Sequence, residues 1–287
     1  MSNVCLQDAK GLGYLQLGDA GRFPSLVFLH GIMGNKKNLR TLAGSVLQRL
    51  PQSSAVIFDL RNHGDSTKHW APFTVNACAL DVAQACQKLE LAPTVIIGHS
   101  FGGKVALLAA KHLETVEQVW LLDCPPGPVK KKHPLKDSSS PTALDIIDIL
   151  SRIEWPVRSR KDLVELLEKE GVLGAVALWM TTNLVANGDG LRLIFEPAEL
   201  REMLLDFIKI DLWPEVLLLS QQKEIHLVAA EFGHRVDKED EEKLIANTRE
   251  GHGFFHVLPQ AGHFVHVDNL RGLADIIVNN LLRLPVE

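Results

Sequence analysis

Between an apolar run at residues 94–97 and a helical stretch at 104–110, the chain reads Gly98-His99-Ser100-Phe101-Gly102-Gly103. A serine in that setting has a narrow structural meaning. The strand must turn sharply into a helix, which strains the residue at the apex and lifts its side chain above the sheet edge. Positions flanking such a bend have no room for Cβ atoms, and Gly98 and Gly102 meet that demand. The new helix directs its amino end at the serine, which favours developing negative charge there. An ordinary glycine-rich turn would need neither the strand before nor the helix after.

The surrounding chain repeats the same rhythm. Short runs rich in Val, Ile, Leu and Phe stand at residues 25–30, 55–59, 94–98, 118–123, 225–230 and 254–258. They are apolar throughout, as strands covered on both faces should be. Helical patterns separate them at 38–50, 74–91, 101–112, 238–246 and 270–282. This alternation predicts an α/β fold, a mostly parallel sheet flanked by helices. Gly11, Gly13, Gly18 and Gly21 mark the opening residues as an antiparallel lead-in hairpin.

The rhythm breaks after Asp123. A Pro- and Lys-rich loop leads into a Ser-rich stretch at 137–141, and from 142 to about 213 the patterns are helical. Leu144, Ile147 and Leu150 form one such stripe; Leu200, Leu204 and Phe207 form another. The expected organisation is therefore a core of residues 1–123 and 214–287, with an all-helical lid inserted at 124–213. Trp155, Trp179, Phe195, Phe207 and Trp213 are expected mainly in the interior of that insertion, with one or two available to line a pocket.

Composition narrows the setting. The 287 residues hold 30 Lys and Arg against 35 Asp and Glu, and this acidic balance argues against nucleic acid or an anionic membrane as the main partner. Cys5, Cys78, Cys86 and Cys124 form no Cys-x-x-Cys pair and no zinc spacing, so a disulfide framework or structural zinc is not expected. No basic and apolar leader opens the chain and no run of 18 apolar residues occurs, so the expected location is cytoplasmic, with an organelle as the alternative, and without a membrane span.

A serine nucleophile needs an oxyanion site and a base. The segment Leu29-His30-Gly31-Ile32-Met33-Gly34 ends the first long strand, and Gly31 lets its backbone come close. Ile32 and Phe101 are the candidate oxyanion donors through their N–H groups. His30 is expected to shape this loop by hydrogen bonding. Of twelve histidines, the order nucleophile, acid, histidine selects His263, behind a glycine in the loop after the last strand. His266 is expected to pack or cap the next helix, and His226, His252 and His256 to be structural. A metal reading of His263, His266 and Asp268 would need a helical scaffold and a glutamate partner.

These residues converge. The chain resembles the α/β-hydrolase superfamily over nearly its whole length, most closely the small acyl-esterase branch of bacterial short-chain acyl and acyl-CoA esterases and mitochondrial abhydrolase-domain proteins. The resemblance rests on His30-Gly31-Ile32-Met33-Gly34, the Asp59–Ser66 segment containing Arg61-Asn62-His63-Gly64, Gly98–Lys104, and Ala261-Gly262-His263-Phe264-Val265-His266. Ser159–Asp162 and Trp179–Leu184 resemble that branch's lid. The branch implies an acid directly after the strand that follows the nucleophile, here Asp123. The wider superfamily implies one after the penultimate strand, where Asp237 and then Glu231 are the candidates. Where the branch has Gly-Gly-Asn-Ser, this chain has Glu231-Phe232-Gly233-His234.

The implied activity is acyl transfer to water from a small ester or thioester by Ser100, His263 and an acid, with no cofactor and no metal. Lys130, Lys131, Lys132 and Lys136 border the insertion and could attract an anionic acyl donor. The competing readings are a ligand receptor on the same fold, or a serine hydrolase acting on a peptide or carbon–carbon bond. Oligomeric state is not legible in the residues.

Overall fold

The computed structural model describes residues 4–7, 11–19, 21–66, 71–130 and 141–282. The chain opens with β1 (Val4–Gln7) and β2 (Gly13–Leu17), an antiparallel pair with Val4 opposite Gln16. β3 (Ser25–Leu29) leads through a 3-10 turn at Lys36–Leu39 into α1 (Arg40–Arg49), and β4 (Ser54–Phe58) is followed by α2 (Val75–Lys88). β5 (Val95–His99) turns directly into α3 (Phe101–Ala109), and β6 (Gln118–Leu122) follows.

The insertion then runs through α4 (Ala143–Arg152), α5 (Arg160–Lys169), α6 (Gly174–Met180), a 3-10 turn at Thr181–Asn183, β7 (Leu184–Asn187), β8 (Gly190–Leu193) and α7 (Pro197–Lys209). α8 (Trp213–Leu219) returns the chain to the sheet. β9 (Glu224–Ala230), α9 (Lys238–Asn247), β10 (Gly253–Leu258), α10 (Val265–Asp268) and α11 (Leu270–Leu281) complete it.

One eight-stranded sheet has the order β1-β2-β4-β3-β5-β6-β9-β10. β1, β2 and β4 pair antiparallel, and every pair from β4 to β10 is parallel. Every residue of β4, β5 and β6 is buried, which explains their unbroken apolar runs. Alternate residues face opposite layers. Val27, Val56, Ile96 and Val119 join the core under α2, α3 and the insertion, while Leu26, Phe28, Ile57, Ile97 and Trp120 join the one under α1 and α11. Full burial of each such side chain contributes about 1.5–3 kcal/mol.

The insertion is not wholly helical. β7 and β8 form an antiparallel hairpin with Leu184 opposite Leu193, and Gly188 takes φ 58° in its turn. Helical periodicity on either side masks so short a hairpin, of which only Leu184 and Leu193 are buried. The Asn187-Gly188-Asp189-Gly190 turn is the local signal for it.

Register places the site. Leu29 pairs with Gly98, Gly98 with Leu121, Leu122 with Val228, and Leu258 with Ala230. The carboxyl ends of β3, β5, β6, β9 and β10 therefore share one edge, and the loops leaving them are neighbours.

Candidate active site

Ser100 sits at the bend between β5 and α3 with φ 51° and ψ −118°. Left-handed backbone on a residue with a side chain costs about 1–3 kcal/mol and persists only where its surroundings impose it. Here they do. A Cβ on Gly98 would lie 2.0 Å from the Gly102 carbonyl oxygen, and one on Gly102 2.5 Å from the Leu29 oxygen. Ser100 donates its own N–H to the Leu122 carbonyl at 3.0 Å, pinning the apex to β6. Phe101 N–H opens α3, where no preceding carbonyl of the helix can accept it.

Asp123 follows β6 with φ 46°, its N–H bonded to the Val228 carbonyl at 2.8 Å. The Ala230 N–H points at its Oδ1 at 3.4 Å, and its Oδ2 lies 2.7 Å from His263 Nδ1. The Asp123 carboxylate is buried, whereas the His263 side chain keeps a quarter of its surface, 25%, open. A carboxylate oxygen accepts, so Nδ1 carries the ring proton and Nε2 is the basic nitrogen of the neutral ring. Behind it, His99 Nε2 donates to the His263 carbonyl oxygen at 2.7 Å.

The loop after β3 passes over the serine: a Cβ on Gly31 would stand 3.4 Å from Ser100 Cβ. Two buried histidines shape it. His30 Nδ1 donates to the Gly31 carbonyl and Nε2 accepts from Leu60 N–H. His63 Nδ1 donates to the Arg61 carbonyl and Nε2 accepts the Met33 N–H at 3.0 Å. Both rings are neutral, because burial pushes His30 down to about 4 and His63 down to about 3. Met33 and Gly34 have their N–H groups engaged by His63 and Gly31, and Ile32 N–H makes no such bond among the described residues.

Residues 26–276 match the alpha/beta hydrolase family. The chain belongs to that family. Among curated relatives, this α/β hydrolase is 26% identical over 275 residues to the sn-1-specific diacylglycerol lipase ABHD11 of Mus musculus, across 94% of this chain and 85% of that one. With Ethanol acetyltransferase 1 of Cyberlindnera jadinii it shares 35% identity over 109 residues, covering 38% of this chain and 31% of the relative. Among solved structures, a marine microorganism esterase superposes with a TM-score of 0.77 at 20% identity, over 96% of this chain and 100% of the other.

Within this α/β hydrolase, the other acid candidates have separate tasks. Asp237 caps α9 by accepting from Asp240 N–H, and Lys130 Nζ lies 2.8 Å from both of its carboxylate oxygens. Glu231 accepts the Gln260 N–H at 2.7 Å on the surface. Neither is brought to His263; Asp123 is. The Lys130 amine makes surface ion pairs with Asp237 and Glu239. Lys131, Lys132 and Lys136 lie outside the described residues.

His266 is buried beside His99, with ring centroids 4.7 Å apart, and its burial lowers it to about 4. His226 stacks on Trp120 and bonds to His256 and Glu224 near the amino end of β9, and His252 bonds to the Lys223 carbonyl. Arg61 forms a two-pronged ion pair with Asp81 of α2. The Asp59–Ser66 segment makes turns around Asp59, whose carboxylate accepts from Lys36 Nζ, Lys36 N–H and Asp65 N–H. Cys124 is buried, and burial pushes its thiol up to about 12, far from a nucleophilic thiolate.

Lys104 was legible as the end of the Gly98–Lys104 segment and the start of a helix, not for the contacts it makes. Its side chain is fully buried, and Nζ donates to the carbonyls of Gly127, Phe207 and Ile210 at 2.6, 2.9 and 3.0 Å. Those carbonyls lie at the two ends of the insertion. Phe207 is buried among the insertion's apolar residues and also packs on Phe101 at 5.7 Å and under the Lys104 ammonium. Trp179 of α6 meets Phe264, the neighbour of His263, edge to face at 5.5 Å. An unbroken helical pattern gave no sign of either contact.

Proposed function

We propose that this α/β hydrolase cleaves carboxylic ester or thioester bonds of small acyl substrates through an acyl-enzyme on Ser100. The observation that carries the reading is the Asp123–His263 bond at 2.7 Å, made on the loop edge where Ser100 caps the strained bend. Asp123 orients the imidazole and stabilises its charged form. His263 Nε2 takes the Ser100 proton as Oγ attacks the acyl carbon. The N–H groups of Ile32 and Phe101 hold the oxyanion. His263 then protonates the leaving alcohol or thiol, and afterwards activates the water that releases the acid.

Naming of relatives as a lipase and an esterase supports this substrate class. The α4–α7 segment, within residues 124–213, serves as a lid over the acyl site, and the packing of Trp179 on Phe264 supports that role. The free, buried Cys78, Cys86 and Cys124 support a reducing setting such as the cytoplasm, and no helix among the described residues is long and apolar enough to cross a membrane.

Hydrolysis of p-nitrophenyl esters from acetate to octanoate, with Ser100→Ala beside the parent, tests the reading. Turnover in the parent and its loss in a folded variant is the expected result. Equal turnover in both overturns the Ser100 mechanism. Ligand-induced stabilisation without product in the parent would favour a receptor.

A further inference from the structure

Met33 lies directly after the proposed donor Ile32, with φ 60°. Its peptide groups are held from two sides. His63 accepts its N–H, and its carbonyl accepts a hydrogen bond at 2.9 Å from Nδ2 of Asn183. Asn183 comes from the 3-10 turn of the insertion, a chain separation of 150 residues. It is 2% exposed.

The orientation of this amide is forced. A carbonyl only accepts, so Nδ2 must face Met33 and Oδ1 must face away. Among the described residues Oδ1 has no hydrogen-bond partner. The amide therefore acts on the protein through Nδ2, which is committed to the Met33 carbonyl. Its turn is itself braced: Arg160 of α5 donates to the Thr181 carbonyl, and Ile194 N–H donates to the Asn183 carbonyl at 2.9 Å.

We propose that Asn183 is a positioning residue, through which the insertion sets the loop that presents the Ile32 N–H to the oxyanion. This rests on the Ser100 reading above. Proper seating of the insertion and competence of the oxyanion site are then a single event, because the helical segment grips the strained residue beside the donor. Substrate binding draws on pocket surface, whereas this grip acts on the charge that develops only during attack.

The test compares the parent with Asn183→Ala and with Asn183→Asp, which keeps size and Oδ1 but sets an oxygen against the Met33 carbonyl. A p-nitrophenyl ester supplies kcat and KM, a fluorophosphonate supplies the rate of covalent labelling at Ser100, and thermal unfolding monitors the fold. Small displacements of such a group lower rates by up to about 100-fold. The expected result is a kcat fall of roughly 10- to 100-fold in both variants, less than or similar to deletion of an oxyanion donor. KM stays within about threefold, labelling slows in step with kcat, and Thr182→Ala, on the exposed neighbour, behaves as the parent.

Parental kcat and labelling rate in a folded Asn183 variant would overturn the proposal. So would a loss confined to KM, or a kcat loss that tracks the unfolded fraction in both variants. A parent that neither turns over nor labels at Ser100 would instead overturn the catalytic reading on which this one stands.

Discussion

Asp123 Oδ2 and His263 Nδ1 are 2.7 Å apart although 140 residues separate them in the chain. The pair leaves β6 and β10 respectively, and β9 lies between those strands. The buried carboxylate fixes the tautomer of a partly open imidazole. Asp123→Asn would present an amide N–H to Nδ1 and invert that tautomer, so kcat should fall by about 10³–10⁴ with the fold intact. Asp237→Asn keeps a capping side chain on α9 and loses only the charge paired with Lys130, so its kcat should stay near the parental value. Steady-state kinetics beside circular dichroism checks both; equal losses in the two variants would contradict the assignment.

The glycines at the bend make a sharper steric prediction. Gly98→Ala and Gly102→Ala each drive a methyl into backbone atoms at 2.0 and 2.5 Å, so neither variant should yield soluble native protein. Gly44 stands in α1 with nothing within 4 Å of an added Cβ. Gly44→Ala should therefore stabilise by about 0.5–1 kcal/mol through helix propensity alone. Urea unfolding measures this contrast.

Lys104→Met keeps the aliphatic stem but leaves three buried carbonyls without their donor. Burial already lowers the pKa of this ammonium, so its charge is held at a cost. Loss of its bonds should destabilise by roughly 3 kcal/mol or more. Limited proteolysis should cut the insertion faster than the rest of the chain; uniform cutting would show that the lysine does not anchor it.

Acid should unfold the protein through His30 and His63. Their pKa values fall from 6.5 to about 4 and about 3 on folding, so the unfolded chain binds more protons below pH 6.5. Stability is complete above that pH and declines as pH falls toward 4, at about 1.4 kcal/mol per unit for each ring. His63→Gln should flatten the profile of Tm against pH between 6.5 and 4 while lowering activity, because the bond to Met33 N–H weakens. An unchanged slope would remove His63 as a source of the acid sensitivity.

Much of this site was visible in the residues for a local reason. A strand, a bend and a helix are adjacent in the chain, so Ser100 and its glycines declare one another. The same locality exposed the fully buried β4, β5 and β6 and the lead-in hairpin, whereas β10, also read as covered on both faces, is only partly buried at the sheet edge. What escaped depends on distance in the chain. The choice between Asp123 and Asp237 turns on which strand end faces His263, a question of sheet order that residue patterns leave open and that only the family resemblance addressed. Lys104 reads as the start of a helix, and Asn183 as one polar residue in a loop. Each acquires its role from carbonyls over a hundred positions away in at least one contact. The β7–β8 hairpin was lost for the opposite reason, because surrounding helical patterns outweighed a turn signal only four residues long.

Lys104 also bears on how caps of this kind could be exchanged. Its ammonium is a fixed socket in the core, and the three oxygens that fill it belong to the entry and exit of the insertion, not to its interior. A cap of different length or chain trace would seat on this core if its two ends delivered three backbone oxygens to that socket. Provided the Asn183 contact to Met33 is kept, the chain between those ends is then open to replacement without disturbing the bend at Ser100.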